Sequence, residues 1–219
     1  MSIFKKKTPF LKFLSLFLLL PTISISISSL MTSNDDLKIG SEMPLSNIEM
    51  KGVDGKTTDL SSYLDKNGLV VVFSCNTCPF VVGSDNFEGW EKQYNTLFRT
   101  AKEKNIGFVL VNSNEAKRDG DDSLKEMIKH AKSEGYLMPY LVDKDSKLAN
   151  AFGAKTTPHV YVFNENKELT YKGSIDNIWD SKRSETIPYL ENAMSALLDK
   201  TELKENSTPP RGCSIKRTK

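Results

Sequence analysis

Hydrophobic and polar positions along the chain fall into blocks that predict a succession of strands and helices. Leu69 to Val82, LVVVFSCNTCPFVV, is an apolar run of high strand propensity that passes through Asn76-Thr77 and meets Pro79. It reads as a buried central strand that turns into a helix. After Pro79, the residues Phe87, Trp90, Tyr94, Leu97 and Phe98 recur at three- and four-residue steps. They predict a helical stretch to about Asn105 with a core-facing aromatic stripe, and Gly83 and Gly89 give it an irregular entry. Ile106 to Val111 (IGFVLV) is a second buried strand, and Asn112 to Asp122 a polar loop. Ser123 to Gly135 predicts a helix with Leu124, Met127, Ile128 and Ala131 inward and Gly135 as its stop. Pro139 to Val142 reads as a short strand, and Ser146 to Phe152 as a short helix closed by Gly153.

Thr156 to Asn164 (TTPHVYVFN) and Glu168 to Lys172 (ELTYK), joined by a turn, are β-rich and predict an antiparallel hairpin. Glu185 to Leu198 predicts a last amphipathic helix using Ile187, Leu190, Met194, Leu197 and Leu198. Upstream, Ile39 to Ile48 is an irregular edge segment in which Pro44 argues against a central strand. Met50 to Leu60 holds the hairpin signal Asp54-Gly55, and Asp59 or Ser61 can cap a one-turn helix through Leu64. A βαβ unit followed by a hairpin and a helix predicts an α/β domain with a mixed central sheet and helices on both faces, over residues 39–200. Thr201 to Lys219 has no periodicity and predicts an extended tail around the domain surface.

The first residues follow another logic. Lys5 to Lys7 form a positive region, Phe10 to Leu20 an apolar one, and Ser24, Ser26, Ser28 and Ser29 follow Pro21. This is the pattern of a signal peptide over residues 1–31, or of an uncleaved N-terminal anchor, with 32–38 as a tether. The apolar core alone is too short to span a hydrocarbon layer of about 30 Å. Either reading places the domain outside the cytoplasm, periplasmic in a Gram-negative bacterium, where disulfides persist. The segment also changes the meaning of the net charge of +2. Four of the 30 basic residues precede residue 31, where there is no acid, which leaves 26 against 28 acidic ones. Nothing in that balance suggests a nucleic-acid surface.

Chemistry enters with the cysteines. Cys75 and Cys78 stand in a C-x-x-C spacing where the strand ends, and Pro79 marks the first helical position, with Cys78 at or beside the N-cap. A thiolate there can have its pKa lowered from about 8.5 to roughly 3.5–7.5. Cys75 is close enough to resolve a mixed disulfide at Cys78, or the roles are reversed. A purely structural disulfide would close too small a loop to stabilise the fold much. Two histidines and no second C-x-x-C argue against zinc, so neither a metal nor an organic cofactor is expected. Cys213 makes the count odd: it is a free thiol, an intermolecular cysteine, or a second resolving thiol brought in by the tail. His130 reads as a surface or half-buried residue. His159 reads either as a neighbour of the active site or as an outward, solvated imidazole, and Trp179 with Asp180 to Glu185 as a solvated loop.

IGSEMP, VVVFSCNTCPFV, VNSNEA, GAKTTPHVYVFNENKELTYKGSIDN and RGCSIK, five blocks in order across Ile39 to Lys216, resemble the thioredoxin superfamily. Within it, the CNxCP turn resembles the redoxin or peroxiredoxin-like (AhpC/TSA-type) branch. The resemblance implies a thioredoxin-like fold with Thr157-Pro158 as a cis-proline beside the cysteines. It places Cys78 as the attacking thiol, five positions after Phe73, with Cys75 as its resolving partner and Pro158 as the third active-site residue. Asp176 in GSIDN matches a family position without an assigned chemistry. The peroxide-binding pattern Pro-x-x-x-Thr-x-x-Cys is incomplete: counted from Cys78 it falls on Val71 and Cys75, counted from Cys75 on Gly68 and Val72.

The function implied is an exported thiol-disulfide oxidoreductase that exchanges with a protein disulfide or dithiol and an electron-donor or acceptor protein. Its extended substrate would dock on the edge before Pro158. The alternatives are a peroxiredoxin-like thiol peroxidase acting on a hydroperoxide, with Cys75 or Cys213 resolving a sulfenic acid, and a redox-inactive binding module.

Overall fold

The structure, a computed structural model, describes residues 1–3, 36–179 and 185–218. The expected leader lies almost wholly outside them, as do positions 180–184 of the charged loop. Along the chain come β1 (Met50–Gly52), β2 (Thr57–Thr58), β3 (Leu69–Ser74), α1 (Pro79–Val82) and α2 (Glu91–Glu103). Then follow β4 (Gly107–Asn112), α3 (Leu124–Ser133), β5 (Tyr140–Val142), α4 (Lys147–Phe152) and β6 (Thr156–Thr157). The last elements are β7 (His159–Phe163), β8 (Leu169–Gly173), α5 (Tyr189–Asp199) and β9 (Cys213–Ser214).

Among the described residues, seven strands form one sheet in the order β2-β1-β5-β4-β3-β7-β8. β3 runs parallel to β4 and antiparallel to β7, so the sheet is mixed. Its centre is β3, buried on both faces as a continuous apolar strand should be. Val70 and Val72 point into a core with Trp90, Tyr94 and Leu97 of the α2 region, Met127 of α3 and Leu190 of α5. Leu69, Val71 and Phe73 point into the opposite core with Leu148 and Phe152 of α4, Leu60 and Tyr161. Helices therefore cover both faces. Each fully buried Leu, Val or Phe contributes about 1.5–3 kcal/mol.

Several boundaries differ from the sequence pattern, each for a local reason. The long helix after Pro79 is broken, because Gly83 (φ 101°) and Gly89 (φ 90°) adopt backbone angles that side-chain-bearing residues avoid. α1 is thus a single turn, and the aromatic stripe splits between the connecting loop and α2. The helix expected from Glu185 begins only at Tyr189, since Pro188 occupies its N-cap. Ile128 and both Ile187 and Leu198 are 44% exposed rather than inward. On α3 the buried positions are Met127 and Ala131, which together with the Ser123 cap to the Glu126 N–H set the helix face.

The tail is extended, as its lack of periodicity implies, and it is fastened along its length. Residues 206–208 run beside β8, with Lys172 N donating to Asn206 O (3.2 Å) and Thr208 N to Lys172 O (3.0 Å). Thr208 Oγ1 accepts from Ser174 N (2.9 Å) and pairs with Tyr171 Oη (2.8 Å). Beyond this, β9 pairs antiparallel with β6, Cys213 opposite Thr157. Ahead of β1, Asp36 pairs with the same Lys172 (2.9 Å), and Leu37 N donates to Phe152 O (3.2 Å).

Candidate active site

The turn after β3 brings three thiols together. Cys78 is the N-cap of α1, its backbone extended (φ −71°, ψ 125°) and its carbonyl accepting from Val81 N (2.7 Å) and Val82 N (2.9 Å). The Thr157–Pro158 peptide bond is cis, and Thr157 engages two of the thiols at once. Its Oγ1 lies 3.1 Å from Cys75 Sγ, while its carbonyl accepts from the Cys78 thiol at 3.0 Å. On the other side the Cys213 backbone N–H donates to Cys78 Sγ (3.3 Å). All three cysteines are free; Cys75 and Cys78 are 2% and 4% exposed, and Cys213 is half-buried.

The surroundings divide the three thiols electrostatically. Cys78 is held at about 5, first by a hydrogen bond from the Cys75 thiol, then by the Cys213 thiol, the Cys213 N–H and the Phe80 N–H, with burial opposing. Cys75 is pushed well above the usual thiol range by donating to Cys78 and by burial, while Thr157 pulls the other way. Burial and then the Cys78 sulfur raise Cys213 to about 11. Protonated, Cys78 donates to the Thr157 carbonyl; ionised, it is an acceptor for two thiols and two backbone N–H groups. The single turn of α1 supplies one of those N–H groups, so neighbouring donors outweigh any helix dipole.

A second network fixes the Asn76-Thr77 turn. The buried Asp122 carboxylate accepts from Asn76 N (3.0 Å), Asn112 Nδ2 (2.7 Å) and Asn114 Nδ2 (2.9 Å). Tyr140 Oη donates to Asn76 Oδ1 (3.0 Å) and accepts from Asn112 Nδ2 (2.9 Å). Asn114 Oδ1 in turn accepts from Lys216 N (2.8 Å), tying the tail to the same loop. Asn112, Asn114 and Asp122 lie in what periodicity reads as a polar loop. A visible signal was present in Asn112, Asn114 and Asp122 following an apolar strand, but it does not say where their side chains converge.

The remaining candidates are placed as follows. His159 is neither solvated nor at the thiols: it is buried, Nδ1 accepts from Lys155 N (3.3 Å), and burial lowers its pKa to about 3. Both faces of β7 are covered, so strand alternation offers it no water. His130 is partly buried and pairs through Nε2 with Glu91 Oε2 (2.8 Å), which also accepts from Tyr136 Oη (2.8 Å). Asp176 is an anchor for the α2 region, accepting from Trp90 Nε1 (2.9 Å) and Gln93 Nε2 (2.8 Å). Trp179 lies against the core with the Arg211 guanidinium 4.6 Å from its ring centroid. Among the described residues no three His, Cys, Asp or Glu side chains converge to hold a metal ion.

Comparison with known proteins gives this geometry a context. The Redoxin family model matches residues 38–190. The chain is similar to an uncharacterized conserved protein from Geobacillus kaustophilus, 29% identical with a TM-score of 0.74, over 83% of this chain and 93% of that one. It is similar also to a hypothetical protein from Sinorhizobium meliloti 1021, 25% identical with a TM-score of 0.74, over 84% and 97%. PrxQ from Xylella fastidiosa, 17% identical with a TM-score of 0.50 over 76% and 96%, shares the fold. No curated protein matches. The mixed sheet with helices on both faces is the thioredoxin-like arrangement.

Proposed function

The chain belongs to the Redoxin family, and from that premise we propose that it is an exported thiol-disulfide oxidoreductase with Cys78 as its nucleophile. The observation that carries this reading is the meeting of Cys75, Cys78 and Cys213 at the Thr157–Pro158 turn, with Cys78 Sγ against the Thr157 carbonyl and the Cys213 N–H and its pKa lowered to about 5. Export rests on the charged and apolar pattern of residues 1–31.

Cys78 thiolate attacks one sulfur of a partner disulfide: a Cys78–partner bond forms, the partner's S–S bond breaks, and its second sulfur leaves as a thiolate that takes a proton. Cys78 has then lost its charge. The hydrogen bond and the charge from Cys78 that raise Cys75 vanish with it, so Cys75 attacks Cys78 Sγ and its proton passes to the departing partner thiolate. A Cys75–Cys78 disulfide forms and the partner leaves as a dithiol; two electrons have moved from this chain to the partner. A donor dithiol restores the reduced protein by the reverse exchange. Thr157 positions both sulfurs, through its hydroxyl and its carbonyl, and Pro158 fixes that carbonyl's place.

Reacting the reduced chain with a peptide disulfide and mapping cysteine states by mass spectrometry tests the proposal. The expected product is Cys75–Cys78 disulfide, with Cys78→Ser inert and Cys75→Ser accumulating a Cys78–peptide mixed disulfide. Hydrogen peroxide oxidising Cys78 to a sulfenic acid faster than the peptide reacts would replace this reading by a thiol peroxidase. Inertness towards both would leave a binding module.

A further inference from the structure

The edge before Pro158, where an extended partner would dock, is already taken. β6 lies outside the seven-stranded sheet and pairs with β9. The register sets Cys213 opposite Thr157 and its N–H on the Cys78 sulfur. This is the placement that a partner's cysteine needs, since main-chain pairing to an exposed edge is how extended segments are held. Beneath this strand Cys78 is 4% exposed, so a folded partner cannot reach its sulfur while β9 is seated. The seated piece is short. Thr208 Oγ1 on Ser174 N, the Pro209 carbonyl on Ser174 Oγ (2.8 Å) and Ile215 N on Lys155 O (3.0 Å) hold it on either side.

Gly212 defines what fits there. A Cβ on it would overlap the Thr157 carbonyl oxygen and come within 3.1 Å of Pro158 N. The residue before the seated cysteine therefore has no room for a side chain.

We infer that β9 is an internal occupant of the partner-docking edge, and that the partner displacing it is an extended protein segment whose cysteine directly follows a glycine. This rests on the thiol-disulfide reading above and names its substrate class and its built-in competitor.

The test uses full-length reduced chains carrying Cys213→Ser, so that the seated strand keeps its backbone and loses its thiol. The probes are two peptides, Pro-Arg-Gly-Cys-Ser and Pro-Arg-Val-Cys-Ser, each as a mixed disulfide with thionitrobenzoate, whose release is followed by absorbance. Cys78 bonds to the peptide sulfur and thionitrobenzoate leaves, so every turnover is counted. Adding Gly212→Val, which unseats β9, is expected to speed release from the Gly-Cys peptide by about tenfold or more. In that variant the Gly-Cys peptide is expected to outpace the Val-Cys peptide by about tenfold or more. Ile215→Ser, which removes the buried side chain that packs beside the far anchor, gives the same acceleration by an independent route and decides the matter if Gly212→Val loses the amide-exchange protection of β3. Unchanged rates in the folded variants would overturn the internal-occupant proposal, and equal rates for the two peptides would overturn the Gly-Cys partner. Both results leave the oxidoreductase reading standing if dithionitrobenzoate alone still modifies Cys78. Failure of that small disulfide to react would remove the reading itself.

Discussion

Replacing Cys75 by alanine removes the first cause of the low Cys78 pKa while leaving Thr157, Phe80 and Cys213 in place. A hydrogen bond to a charged group contributes roughly 1.5–3 kcal/mol, and one pKa unit is about 1.36 kcal/mol, so the Cys78 midpoint should rise by about one to two units. From about 5 it moves to roughly 6–7. At pH 6 the thiolate fraction then falls from about nine-tenths to between a half and a tenth. The assay is the pH profile of iodoacetamide alkylation, with modification mapped to Cys78 by mass spectrometry. Cys75→Ser retains a hydroxyl donor, and its midpoint should stay within about half a unit of the wild type. An alanine midpoint equal to the wild type, or a serine midpoint displaced as far as alanine, would refute the hydrogen bond as the cause. Stability carries the same signature. A depressed thiol pKa adds stability above the unfolded value near 8.5 and loses it as pH falls towards 5, so the alanine variant should show a narrower window of rising stability in urea titrations.

Asp122→Ala takes the acceptor from Asn76 N and Asn114 Nδ2 and leaves Asn112 Nδ2 with Tyr140 Oη, and should cost about 3–5 kcal/mol by urea unfolding. Trp90→Phe removes the donor to Asp176 Oδ1 and should cost about 1–3 kcal/mol in the same assay. His159, neutral and held at about 3, favours the folded state above its unfolded value near 6.5 and loses that contribution as pH falls towards 3. His159→Phe should therefore flatten the fall in urea midpoint across that acid range; an unchanged slope would mean that the imidazole takes up its proton without unfolding.

What was legible in the sequence is what rests on local pattern. The apolar runs of β3 and β4, the β7–β8 hairpin, the helix after the polar loop and the Pro79 helix start all appear where periodicity and capping put them. The Cys75–Cys78 spacing likewise marks the turn. The contacts that complete the candidate site are long-range: Thr157 to Cys78, Asp122 to Asn76, and Cys213 to Cys78 across 135 positions of sequence. No period in the chain encodes them. β9 is two residues long, too short for alternation to declare it, and it exists only because β6 offers an unpaired edge. Ile128, Ile187 and Leu198 fit helical spacing yet stay exposed, because spacing marks one face of a helix but not how wide a stripe its neighbours cover.

The run of residues 206–208 beside β8 has a consequence for how the molecule behaves in a crowd. β8 is the last strand of the sheet, and a bare last strand offers its backbone to any other chain as a template for pairing. Here Lys172 spends both its N–H and its carbonyl on Asn206 and Thr208, while at the far border β2 is two residues long. The same tail that reaches the thiols thereby covers that edge, and shortening the chain before Asn206 would bare the Lys172 main chain for pairing with another molecule.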